Sequence, residues 1–135
     1  MSNEKQSGLI QALVPAIILA TFHGMLWIVL LGMMLRFVPA FVKIFEDFEV
    51  SLPMMTEWAI GWSLFSARYW FLVLPSIAVM CAADLIVLCA LYLHPKAAVL
   101  RWLWLALMML VPLSLMAWTV LAVFLPLLSL HTSLS

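Results

Sequence analysis

The sequence predicts an all-α membrane protein with three transmembrane helices and an amphipathic helical loop between the first and second. Of its 135 residues, 68% are hydrophobic and 9% are charged, where a soluble globular chain has roughly 45–50% and about 25%. The few charges leave three long gaps: none in the 28 positions of residues 8–35, one (Asp84) in the 25 of residues 69–93, and none in the 29 of residues 102–130. A helix rises about 1.5 Å per residue and the hydrocarbon core is about 30 Å thick, so roughly 20 apolar residues suffice to cross and each gap is long enough. This composition excludes a soluble enzyme. Six scattered basic residues balanced by six acidic ones exclude a nucleic-acid-binding module as well.

Residues 1–8 form a short polar N-terminus, and residues 9–35 the first transmembrane helix. A cleavable signal peptide is the competing reading of that helix. Its apolar stretch is about twice the usual 7–15 residues, however, and no small-residue cleavage site precedes a polar mature region. Ala12, Ala16, Ala20 and Gly24 recur every fourth residue and give one face a stripe of small side chains. Helices in lipid associate by close approach over such stripes, so this face is an interface candidate, with Ala78, Ala82 and Ala83 as a matching patch on the second helix.

Residues 36–68 form the amphipathic loop. Val38, Phe41, Phe45 and Phe48 recur at helical spacing opposite Lys43, Glu46, Asp47 and Glu49, and Pro39 suits a first helical turn. The Phe41, Phe45 and Phe48 face is expected to dip among lipid headgroups or to dock a partner. After a break at Ser51, Leu52 and Pro53, a second helical stretch carries Met55, Trp58, Trp62 and Phe65. Trp58, Trp62, Tyr69 and Trp70 read as an aromatic belt at one bilayer face, with Trp102 and Trp104 at the other.

The second transmembrane helix is residues 69–93, followed by a basic turn at 94–101, the third helix at 102–130 and a tail at 131–135. Pro75 lies near the start of its span and Pro126 near the end, while Pro112 falls mid-span, where membrane helices tolerate a kink. Cys81 and Cys89, eight apart in one apolar run, fit neither a disulfide framework nor a zinc pattern. Lys96 and Arg101 crowd a turn of about eight residues, whereas Arg36, Lys43 and Arg68 are spread over the longer loop. The positive-inside rule therefore puts the N-terminus and the basic turn in the cytoplasm, with the loop and C-terminus outside.

His23 and Asp84 are the intramembrane groups able to do proton chemistry, and antiparallel helices place them at similar depths. A carboxylate at mid-span costs roughly 2.5–3.5 kcal/mol on insertion scales, so a partner is expected. Two readings stand open: a packing hydrogen bond, or a proton path. Ser63, Ser66, Ser76 and Ser114 have no local base, the glycines form no phosphate cradle, and no metal cluster appears. The reading is therefore not an enzyme and without a cofactor, metal, nucleic acid or small-molecule substrate.

The order of motifs resembles the membrane region of the type II secretion F protein family, the inner-membrane platform of secretion systems and type IV pili. The residues concerned are Phe37-Val38-Pro39-Ala40-Phe41, Ile44-Phe45-Glu46-Asp47-Phe48, Leu52-Pro53 with Thr56, and the run Val120 to Leu127 containing Leu125-Pro126. About 30 residues carry the likeness; the rest follows by arrangement. Family members have two cytoplasmic helical domains that meet the assembly ATPase, and here only about eight residues precede the first span and about eight separate the second and third. Glu49 also stands where the family usually has glycine. The resemblance thus implies a reduced relative in a bacterial inner membrane, acting as a structural or assembly partner. Its expected partners are the bilayer and a second copy or other membrane proteins. The alternatives are an oligomeric proton-linked transporter or channel subunit using His23 and Asp84, and a pore-forming or membrane-stress peptide.

Overall fold

A computed structural model describes the backbone at residues 2–47 and 52–134, and side chains at 6–47, 52–94 and 96–128. The described residues are helical with no strand. Helix α1 (Ser2–Gly32) passes through a π-helical turn at Met33–Phe37 into α2 (Val38–Asp47); α3 (Met54–Arg68) and α4 (Trp70–Leu93) follow, then a 3₁₀ turn at Pro95–Ala97 and α5 (Ala98–Leu134). Three stretches are long and apolar enough to cross a membrane: Gln6–Asp47, Trp70–Leu93 and Ala98–Leu128. They run up, down and up. Their outer faces carry exposed Ile18, Val79, Ile86, Val99, Leu110 and Leu121, the surface expected where lipid is the solvent.

The first two expected segments meet without a break. Proline 39 explains how: it has no N–H, and in an α-helix its ring would clash with the carbonyl four residues back. The helix widens instead, so that the Val38 N–H reaches past Met34 to the Met33 carbonyl. In that π register the next donor is residue 39, which is proline, so the Met34 carbonyl loses its backbone partner. The Ser63 hydroxyl of α3 donates to it at 2.5 Å.

The same repair occurs in α5. Proline 126 cannot supply the N–H that the Ala122 carbonyl would receive from a residue four further on. The Thr56 hydroxyl donates to that carbonyl at 2.6 Å. Thus α3 turns Thr56, Ala59, Ser63 and Ser66 inward, while Trp58, Trp62, Leu64 and Phe65 face out. Its small polar face binds backbone that prolines have exposed, which is how membrane helices tolerate proline.

This packing corrects the expected role of the phenylalanine face. Phe45 is only 3% exposed and sits in a core with Leu30, Met34, Val38 and Val123, against which Phe41 also packs. The Phe41 ring lies 5.8 Å from that of Phe124 on α5. The face is covered from within because α3 folds back along α2 and the end of α5 lies against them; Phe48 lies outside the described residues. The basic turn is also tighter than expected. Helix α4 ends at Leu93, α5 begins at Ala98, and the Arg101 guanidinium sits 4.6 Å over the Tyr92 ring to close the hairpin.

Candidate functional site

Helices α1 and α4 pack antiparallel along the small-residue stripe. Ala12, Ala16, Ala20 and Gly24 are all buried. At Gly24 the approach is so close that an added Cβ would lie 2.8 Å from Cys81 Sγ. Leu88, fully buried, packs with Ala16 and with Met108 of α5. The α4 face that meets this stripe consists of Ile77, Asp84, Leu88 and Leu91, with Cys81 half-buried beside them. Ala78 and Ala83 are exposed, while Ala82, also exposed, edges the groove beside Ala20 and Gly24. Larger α4 side chains fill the hollow that the alanines leave, which is tighter packing than two smooth faces would give.

This close contact brings the two intramembrane polar residues together. His23 Nδ1 and Asp84 Oδ2 are 2.7 Å apart, and each residue is only 4% exposed. A third residue completes the chain. Trp27, one turn beyond His23, donates its indole Nε1–H to His23 Nε2 at 2.8 Å. Because an indole N–H can only donate, Nε2 must accept and the neutral ring carries its single proton on Nδ1, which donates to Asp84. The chain therefore has a fixed direction: Trp27 to His23 to Asp84.

That direction restricts its chemistry. Passing a proton through imidazole needs one nitrogen to gain a proton as the other releases one. Here the nitrogen facing away from the acid is capped by a hydrogen that tryptophan does not give up. The arrangement orients a ring and satisfies a buried carboxyl. Trp27 carried a usable sequence signal, since residues at i and i+4 share a helix face.

Among the described residues, no group of three or more His, Cys, Asp and Glu side chains could hold a metal ion. His94 Nδ1 donates to the Ala90 carbonyl at 2.8 Å and so caps the end of α4. Of the expected aromatic belts, Trp58, Trp62, Trp70 and Trp102 are more than half exposed. Trp104 is partly buried instead, packing on the core of Ala16, Leu88 and Met108, with its indole nitrogen lacking a hydrogen-bond partner. Compared with known proteins, the chain matches no family model, no curated protein and no solved structure.

Proposed function

We propose that this chain is a non-catalytic, multi-pass integral membrane protein that serves as a rigid structural or assembly partner in a bacterial inner membrane. The supporting observation is that its interhelical polar contacts close on the protein itself. His23 meets Asp84, Ser63 meets the Met34 carbonyl and Thr56 meets the Ala122 carbonyl. Each joins segments far apart in the chain, so together they fix the bundle. The setting, a secretion or pilus platform, rests on the resemblance of residues 37–56 and 120–127 to the type II secretion F family. In that setting the N-terminus and the turn at Lys96 lie in the cytoplasm and the α2–α3 hairpin outside.

The alternative, a proton-linked transporter or channel subunit, draws on the same His23 and Asp84 contact. Proteoliposomes carrying an internal pH dye and an imposed potential separate the two. The expected result is a proton leak equal to that of empty vesicles. A flux that Asp84→Asn abolishes would transfer the assignment to the alternative. Native gels of mild-detergent extracts test the assembly role: a stoichiometric complex containing a secretion or pilus component is expected, and migration as the isolated chain overturns it.

A further inference from the structure

A cavity of about 440 Å³ lies among α1, α3, α4 and α5, beside the step at Tyr69 where α3 gives way to α4. Trp27, Trp58, Trp62 and Trp118 supply much of its wall. No charged side chain lines it; its polar groups are the hydroxyls of Ser66 and Thr119 beyond the indole nitrogens. Thr119 donates to the Leu115 carbonyl at 2.8 Å. Among the described residues none is hydrogen-bonded to the Ser66 hydroxyl, although Ser66 is only 7% exposed. The volume lies in the range of small-molecule sites, as does a largely apolar, aromatic lining with a few placed polar groups.

The geometry points to this cavity as a binding site for one acyl chain of a bilayer phospholipid, whose ester carbonyl accepts the Ser66 hydroxyl. Access decides the class of occupant. Trp58, Trp62 and Phe65, all more than half exposed, form the α3 wall, which leads to the start of the α4 span at Trp70 and so opens toward lipid at the membrane face. A water-soluble ligand would have to cross that apolar surface, and no charged side chain meets it inside the cavity. An unpaired hydroxyl in apolar surroundings gains most from a neutral acceptor, and an ester carries one beside an apolar chain. Arg68, exposed on the same helix just beyond Ser66, is the cation available to the headgroup phosphate; Glu57, the nearest acid on α3, stands at the opposite end of the helix. This inference stands apart from the assembly role.

The test uses the full chain in vesicles of phosphatidylethanolamine and phosphatidylglycerol doped with a phosphatidylcholine bearing a photoactivatable diazirine on one acyl chain. Mass spectrometry maps the adducts. Leu31 and Ile77, each 9% exposed on the inner wall, are expected to carry adducts alongside the lipid-facing Ile86. Val73→Trp fills the cavity from a half-buried wall position and should remove the inner adducts while leaving those at Ile86. Ser66→Ala keeps the volume and should lower inner-wall labelling about two- to tenfold, the range for one neutral hydrogen bond. Outer adducts with an unlabelled inner wall overturn the proposal. So do inner-wall crosslinks to a second copy, and inner labelling that neither variant changes.

Discussion

Asp84 and His23 show how one contact can be read as chemistry or as architecture, and Trp27 favours the second reading. With the indole N–H on His23 Nε2, the imidazole has one role left, to donate from Nδ1 to the acid. An amide at position 84 retains an acceptor for that donor, whereas a methyl group does not. Unfolding in detergent micelles leaves the span in an apolar phase, so the penalty of inserting an acid is common to both states and cancels. Asp84→Asn should therefore change stability by less than about 1 kcal/mol, in line with the modest strength of hydrogen bonds between membrane helices. Asp84→Ala leaves the His23 donor buried without a partner and should cost about 1–3 kcal/mol. Denaturant titration followed by circular dichroism measures both; equal losses in the two variants would remove the acceptor argument. The pairing could be expected from the sequence because depth in the membrane is simple arithmetic along each span. Trp27 shares a helix face with His23 by its spacing, but an apolar run offers many aromatic residues at such spacing and only the direction of hydrogen bonding distinguishes this one.

At the scale of elements, helix α3 works as a clamp whose two hydroxyls answer two prolines. Thr56 acts on the carbonyl that Pro126 leaves without its α-helical donor, and Ser63 on the one displaced by Pro39. If the first match is causal, giving α5 its N–H back should make Thr56 dispensable. Thr56→Val alone is expected to cost about 1 kcal/mol. In a Pro126→Ala background the same change should cost close to nothing, so the double-mutant cycle should show a coupling of about 1 kcal/mol. Additive effects would mean that the hydroxyl and the proline act independently. The sequence contained both halves of this arrangement, but not their pairing. Amphipathic spacing identifies two faces of a helix without saying which meets protein and which meets lipid. In α3 the usual choice inverts, with Thr56, Ala59, Ser63 and Ser66 inside and tryptophans outside. For the same reason the face of Phe41 and Phe45 could be located but not assigned a neighbour: nothing local marks Phe124 as the ring it meets. The small-residue stripe of α1 was easier to interpret, because side chains that small have little other use than close approach.

For the whole molecule, the spans follow from charge alone, while their continuation beyond the bilayer depends on tertiary packing. The stretch Gln6–Asp47 has 42 residues, about 63 Å of helix, longer than the roughly 40–45 Å of a bilayer with its headgroups. One end must leave the membrane or the helix must tilt strongly, and the charges choose the first. Lys43, Glu46 and Asp47 are exposed on the last turns of α2, where immersion would be costly. The α2–α3 hairpin then projects on one side and the Lys96 turn on the other, because a single span, α4, separates them. In the proposed orientation, which follows basic density, the Lys96 side is the cytoplasmic one. With Cys81 and Cys89 replaced by alanine, Glu46→Cys and Lys96→Cys give single reporters at exposed positions. In intact spheroplasts a membrane-impermeant maleimide should label position 46 and spare position 96, which should react only after permeabilisation. The reverse pattern would keep the three spans and invert the orientation. Labelling of both positions from one side would break the topology itself, since α4 would then not cross and Asp84 would no longer lie within a membrane.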